Sequence, residues 1–96
     1  MADVPAVTHN AAASQFEIHT DAGLALLKYT TSGTTLDLIH TEVPASIEGG
    51  GYGSALVRAA LDHARASHLT VIPTCPFVRA YMRRHHEYDD LRASPG

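Results

Sequence analysis

Two groups of residues in this sequence have the types and spacing to do chemistry. The first is Glu48-Gly49-Gly50-Gly51-Tyr52-Gly53-Ser54, with four glycines in five positions. Such a run cannot be the interior of a helix or strand, and its backbone reaches φ values closed to other residues. The segment that follows is rich in helix formers, and Gly53, Leu56, Val57, Ala60, Leu61 and Ala64 recur on one helical face. The loop therefore feeds a helix N-terminus, where unpaired N–H groups and the positive end of the macrodipole favour an anion. Backbone amides from Gly49 to Ser54 could close around a phosphate. A plain glycine-rich turn between a strand and a helix remains the other reading. A P-loop fits poorly, because Gly53 is followed by Ser54 and Ala55 rather than by lysine and then serine or threonine. A dinucleotide fold opens on strand, loop and helix, whereas here half the chain precedes the loop.

The second group is His40 and Cys75. Cys75 stands at the start of an expected helix, where the dipole lowers a thiol pKa. His40 falls near the end of a strand expected beside the one that precedes Cys75, so the two could form a base pair or an acyl-enzyme. Of the two, His40 is the better base at neutral pH. A buried inert cysteine and a hydrogen-bonded histidine remain the other reading. The remaining histidines lack metal-ligand spacing: His85 and His86 are adjacent, and His63 and His68 are five apart. No metal is expected. Arg79, Arg83 and Arg84 form a basic stripe, either a solvated helix face or a contact for phosphates, and Arg58 is similar.

These residues need elements to position them. Met1 to Ala13 is small and polar without a period, and reads as a mobile leader (1–13). Gln15 to His19 alternates as a first strand, Asp21-Ala22-Gly23 turns, and Leu24 to Thr31 returns. After Ser32-Gly33, Thr35 to Val43 reads as a third strand with Leu36, Leu38 and His40 on one face and Asp37, Ile39 and Thr41 on the other. A helix to about Ser67 follows the glycine loop, and Leu69 to Ile72 is a short buried strand. The helical crossover makes that strand a parallel neighbour of the third. Thr74 or Cys75 caps a second helix, with Pro76 in its first turn, which runs to about His85 and carries Phe77, Val78, Tyr81 and Met82 on its apolar face. The tail after Tyr88 reads as polar and frayed. The expected class is α/β, an antiparallel three-strand meander plus a parallel fourth strand with two helices, in the order β-β-β-α-β-α.

That order, with its motifs, resembles the small single-domain branch of the GNAT superfamily of acetyl-CoA-dependent N-acyltransferases. The likeness is carried by His40-Thr41-Glu42-Val43-Pro44, Gly49-Gly50-Gly51-Tyr52-Gly53, Pro73-Thr74-Cys75-Pro76-Phe77-Val78 and Tyr81-Met82-Arg83-Arg84-His85-His86-Glu87-Tyr88. It implies a domain over 14–91, with a tail at 92–96. It also implies acetyl-CoA or coenzyme A as cosubstrate, with pyrophosphate on Gly49, Gly50, Gly51, Tyr52, Gly53 and Ser54. Pantetheine would lie along the backbone of Glu42 and Val43, with Val43 supplying the oxyanion N–H. Tyr81 matches the tyrosine that in many members lies on the last helix near the coenzyme sulfur, where its phenol could act as the acid for the leaving group, although a core tyrosine fits the same position. Glu48 stands where the superfamily has glutamine or arginine, and His86 where the branch commonly has proline.

The implied activity is acyl-CoA-dependent N-acylation, acetyl transfer to an exposed primary amine by direct attack on the thioester. The alternative is a coenzyme A-binding module without significant turnover. Only short turns join the first three strands, so the acceptor side should be open and shallow. Ninety-six residues with 45% apolar content and a net charge of −3 fit one modest core. They give no basic excess for nucleic acid and no membrane-spanning run. One cysteine excludes an internal disulfide. With no signal-peptide layout at the start, a cytoplasmic monomer or homodimer is expected.

Overall fold

The computed structural model describes residues 6–93. A five-stranded sheet runs in sequence order, β1 (Thr8–Asn10), β2 (Gln15–Thr20), β3 (Gly23–Ser32), β4 (Thr35–Glu42) and β5 (Thr70–Ile72). The first four strands pair antiparallel, and β5 joins β4 in parallel. Helix α1 (Tyr52–Ala66) makes the crossover between β4 and β5, and α2 (Pro76–Arg84) follows β5. This is the expected α/β class with one extra edge strand.

Alternation builds the sheet's inner face. Phe16 and Ile18 of β2, Ala25, Leu27 and Tyr29 of β3, Leu36 and Leu38 of β4 and Val71 of β5 are all buried. The helical stripe Leu56, Val57, Ala60, Leu61 and Ala64 of α1 covers them, and α2 adds Val78, Tyr81 and Met82. Helix α1 packs across β2, β3, β4 and β5, and α2 packs on α1. Among the described residues no helix is long and apolar enough to cross a membrane.

Two expectations are corrected. The first is the mobile leader up to Ala13; its residues 1–5 lie outside the described residues. Thr8–Asn10 is β1, paired with Glu17, Phe16 and Gln15, and Ala11–Ala13 forms a 3-10 turn closed by Asn10. Besides its ladder to β2 and the packing of Val7 at its start, β1 is held by an aromatic cluster. The His9 ring stacks on Phe16 at 4.3 Å, meets the edge of His63 at 4.5 Å, and shares a 2.6 Å hydrogen bond with the Tyr29 hydroxyl. The second correction concerns the frayed tail. Residues His86–Leu91 form a 3-10 segment with Tyr88 and Leu91 buried. Arg65 grips it by the Asp90 carboxylate at 2.9 and 3.0 Å and the Glu87 carbonyl at 2.7 Å. The Tyr88 hydroxyl donates to Asp62 at 2.8 Å. Burial and that bond push the Tyr88 phenol up to about 12. The Ala93 N–H then reaches the Val71 carbonyl at 2.9 Å, on the edge of β5 that β4 does not cover.

The His9 cluster sets a pH dependence. Burial, and then the positive charge of a protonated His63, lower the His9 pKa below its usual 6.5. A depressed folded-state value means that the unfolded chain binds the proton first. The contribution to stability is therefore complete above the unfolded pKa and is lost as pH falls through the lowered one. Thermal unfolding from about pH 7 to about pH 5 should show a falling Tm, and His9→Phe, which keeps the stack but cannot charge, should flatten that slope. Equal slopes in the two proteins would mean that His9 does not carry the effect.

Candidate active site

The site forms where β4 and β5 part. Their pairing covers only Thr35–Thr70, Leu36–Val71 and Asp37–Ile72. One more bond, Cys75 N–H to the Leu38 carbonyl at 2.9 Å, links the two sides before the chain turns into α2. Beyond Leu38 no strand among the described residues pairs with this edge of β4: the Cys75 side chain meets it at Thr41, and the edge past that point borders the cavity.

A β-bulge decides what that edge presents. Tyr29 pairs with Leu38 and Lys28 pairs with His40, so Ile39 is an extra residue in β4. The bulge breaks the straight alternation expected for this strand. Leu38 points inward, Ile39 and His40 both point out, and Thr41 takes the inward position assigned to His40. The Thr41 hydroxyl lies 3.5 Å from the Cys75 sulfur. His40 and Cys75 therefore sit on opposite faces of the sheet, and the expected Cys–His pair does not form. The His40 Nε2 is instead 3.7 Å from a carboxylate oxygen of Glu42, with both side chains more than half exposed.

The glycine loop closes the other side. After Pro44, Ala45–Ile47 makes one 3-10 turn. Gly49 and Gly51 then adopt φ of +87° and +89°, a region that disfavours side chains. Gly51 is the N-cap of α1 and offers no side-chain cap. The N–H groups of Tyr52, Gly53 and Ser54 are therefore the open donors of the first turn. Gly50 has a different job from the amide role expected of it. Its N–H bonds the Ile47 carbonyl at 3.2 Å, and a Cβ there would come within 2.8 Å of the Tyr52 ring. At Gly53 a Cβ would meet the Phe77 ring at 2.8 and 2.9 Å. Absence of side chains lets Tyr52 and Phe77 close over the loop.

Between loop and strand lies a cavity of about 460 Å³, lined by Thr41 and Val43 of the β4 edge, by Glu48, Gly49, Gly51, Tyr52, Gly53 and Ser54, and by Phe77 of α2. Its size falls in the usual range for small-molecule sites. The loop amides line it on one side, with the Phe77 ring lying against Gly53, and Val43 adds apolar surface from the β4 edge. Glu48 lines the cavity while remaining exposed to water, so its carboxylate has solvent on one side.

Cys75 stands behind Thr41. It is the N-cap of α2 and is 5% exposed. Burial raises its pKa, but the Thr41 hydroxyl and the backbone N–H groups of Val78, Phe77 and Thr41 outweigh burial, and the net shift is downward. Thr41→Val removes the side-chain partner and should move the midpoint of Cys75 alkylation by iodoacetamide to higher pH. Thr41→Ser should leave it in place. An unmoved midpoint in Thr41→Val would mean that the helix amides alone set the thiol.

Tyr81 does not line the cavity. It is 5% exposed, stacks on His85 at 4.1 Å and packs near Tyr88. Burial raises its phenol pKa; the charge of Arg58 opposes this and that of Glu87 adds to it. Its neighbour one turn earlier, Phe77, is the α2 residue that reaches the site. Arg79 donates to the Thr74 and Pro73 carbonyls at 2.9 and 3.4 Å, fixing the turn that delivers Cys75. Thr41 and Phe77 were the residues that sequence reasoning missed. Phe77 carried a partial signal, a large aromatic in the first turn of the helix that follows the short parallel strand. Among the described residues no three histidine, cysteine or carboxylate side chains gather as a metal site.

A sheet that splits between two parallel strands beside an amide-rich helix start defines a class, the N-acyltransferase fold. The family model described as GCN5-related N-acetyl-transferase matches residues 15–91. The protein NATD1 of Xenopus tropicalis is 32% identical over 80 residues, covering 80% of this chain and 73% of the relative. A solution structure of a GCN5-like protein from Staphylococcus aureus superposes with a TM-score of 0.72 at 24% identity, over 99% of this chain and 94% of that one, and shows the same fold. The chain belongs to the GCN5-related N-acetyltransferase family. Family and fold support acyltransferase activity, and members of the family generally use acetyl-CoA as cosubstrate.

Proposed function

We propose that this protein transfers an acetyl group from acetyl-CoA to an exposed primary amine by direct attack on the thioester. The observation that carries the reading is the opening of the β4–β5 gap onto the cavity between the glycine loop and Phe77. The cavity's lining suits each part of the donor. Pyrophosphate goes to the amides of Gly49, Gly51, Tyr52, Gly53 and Ser54. Pantetheine runs along the free edge of β4, pairing with main chain near Val43 as an added strand would. Glu42 takes part through its backbone, since its side chain faces out with His40.

The chemistry needs a base, an oxyanion donor and a proton for the leaving sulfur. The amine arrives from the helix-free face, and His40 takes its proton. The Thr41 N–H points at Cys75, so the Val43 N–H, two residues on, faces the same gap and holds the oxyanion. As the tetrahedral intermediate collapses, the carbon–sulfur bond breaks and the thiolate of coenzyme A takes the Thr41 hydroxyl proton. In the same concerted shift Thr41 takes a proton from the Cys75 thiol behind it, and after the products leave, the Cys75 thiolate regains a proton from water while the His40 imidazolium gives one up to water. This gives Thr41 and Cys75 the acid role that resemblance had given to Tyr81. The test is release of free coenzyme A thiol from acetyl-CoA across a panel of primary amines. Amine-dependent release that falls in His40→Ala supports the proposal. Tight coenzyme binding without release for any amine would sink the catalytic part of it.

A further inference from the structure

A second groove lies beside the first, on the far side of Tyr52. Its volume is about 400 Å³, and it is lined by His19, Thr20, Asp21 and Ala22 at the β2–β3 turn, by Ile47, and by Tyr52 itself. Tyr52 is thus a shared wall between the two. Gly50 fixes that wall, because the ring rests where a Cβ at position 50 would be.

We infer that this groove holds the adenine base of coenzyme A, a reading that rests on the donor assignment above. The chemistry of the lining selects the base over the coenzyme's other parts. No lysine or arginine lines the groove and one carboxylate does, so a phosphate is disfavoured. Tyr52 and Ile47 offer apolar surface for a flat ring, and aromatic faces stack well on bases. The Asp21 carboxylate is an acceptor for an exocyclic amine such as the adenine 6-amino group. Among the described residues Asp21 enters no ion pair. Its neighbour Thr20 is already committed, donating to the Gly23 carbonyl at 2.7 Å and accepting from the Ala22 N–H at 3.1 Å. Position fits as well. Tyr52 is the first residue of α1, whose amides take the pyrophosphate, and a single ribose separates pyrophosphate from base.

The test is calorimetric binding of three ligands to the wild type and to Asp21→Ala. The ligands are coenzyme A, its counterpart with hypoxanthine in place of adenine, and 4′-phosphopantetheine, which lacks the base. Thr20 holds the turn, so Asp21→Ala should fold as the wild type does. Coenzyme A should bind Asp21→Ala about tenfold more weakly, the scale of one hydrogen bond to a charged group. The hypoxanthine form, with an acceptor where the amine was, should bind the wild type weakly and the two proteins alike. 4′-Phosphopantetheine should not distinguish them. Unchanged or tighter coenzyme A binding in Asp21→Ala, or an equal change for all three ligands, overturns the adenine assignment and leaves the donor reading intact. A wild type that binds no coenzyme A overturns both.

Discussion

Gly51→Asp is expected to fold cooperatively and to lose acetyl-CoA affinity by about a hundredfold or more. Two effects act, and they can be separated. The residue sits at φ +89°, so any side chain there costs about 1–3 kcal/mol of backbone strain. Strain is present with and without ligand, so it lowers stability rather than affinity. Charge acts on affinity. Gly51 lines the cavity at the start of α1, and a carboxylate there would stand against the pyrophosphate. Two unit charges about 4 Å apart repel by about 4 kcal/mol at an effective dielectric of about 20. With the open side of the cavity discounting that to about 2–3 kcal/mol, the loss is still near a hundredfold. Gly33→Asp is the control. Gly33 also has positive φ, +59°, with nothing near a Cβ, and it lies in the β3–β4 turn. It should lose comparable stability and bind acetyl-CoA normally. If calorimetry finds Gly51→Asp binding as tightly as the wild type, the pyrophosphate does not sit on this loop.

Such a test could be framed from sequence because glycine clusters and helical periods are local signals. Leu56, Val57, Ala60, Leu61 and Ala64 repeat with the helix, and the glycines before them admit no regular element, so the loop and helix were legible together. The rest was lost where the deciding contact is remote. Thr8-His9-Asn10 carries no aliphatic pattern, since β1 is anchored by one histidine ring lying against Phe16, Tyr29 and His63. The 3-10 segment after α2 looked polar because its hold on the fold is Arg65 reaching across from α1. The bulge at Ile39 left no mark in the residues at all. Leu36, Leu38 and His40 alternate as a straight strand would, and only the register against β3 shows the extra residue. That one residue exchanges His40 for Thr41 at the inner edge, and with it the group that faces Cys75.

The exchange leads to the second large effect. Thr41→Val and Cys75→Ala are each expected to lower kcat for acetyl transfer by about a hundredfold, the low end of what a positioned acid contributes. Acetyl-CoA affinity should stay within about threefold, because neither the Thr41 hydroxyl nor the Cys75 thiol is assigned to the phosphates or the pantetheine backbone. The two changes should not add. If the thiol acts only through the Thr41 hydroxyl, 3.5 Å away, losing either breaks the same relay, and the double variant should be about as slow as the singles. Thr41→Ser keeps a hydroxyl and should retain most of the rate. The pH profile carries the independent evidence. The hydrogen bonds around the sulfur hold its pKa below 9.0, so a relay that needs the protonated thiol loses rate as pH rises through that lowered value. Cys75→Ser, whose hydroxyl does not ionise in this range, should lose that alkaline limb. Tyr81→Phe separates the competing assignment. Tyr81 is buried against His85 and Tyr88 and is not among the residues lining the cavity, and removal of its hydroxyl should leave kcat and the limb unchanged. A kcat collapse in Tyr81→Phe, with Cys75→Ala near wild-type rate, would return the acid role to the tyrosine and reduce the Thr41–Cys75 contact to packing.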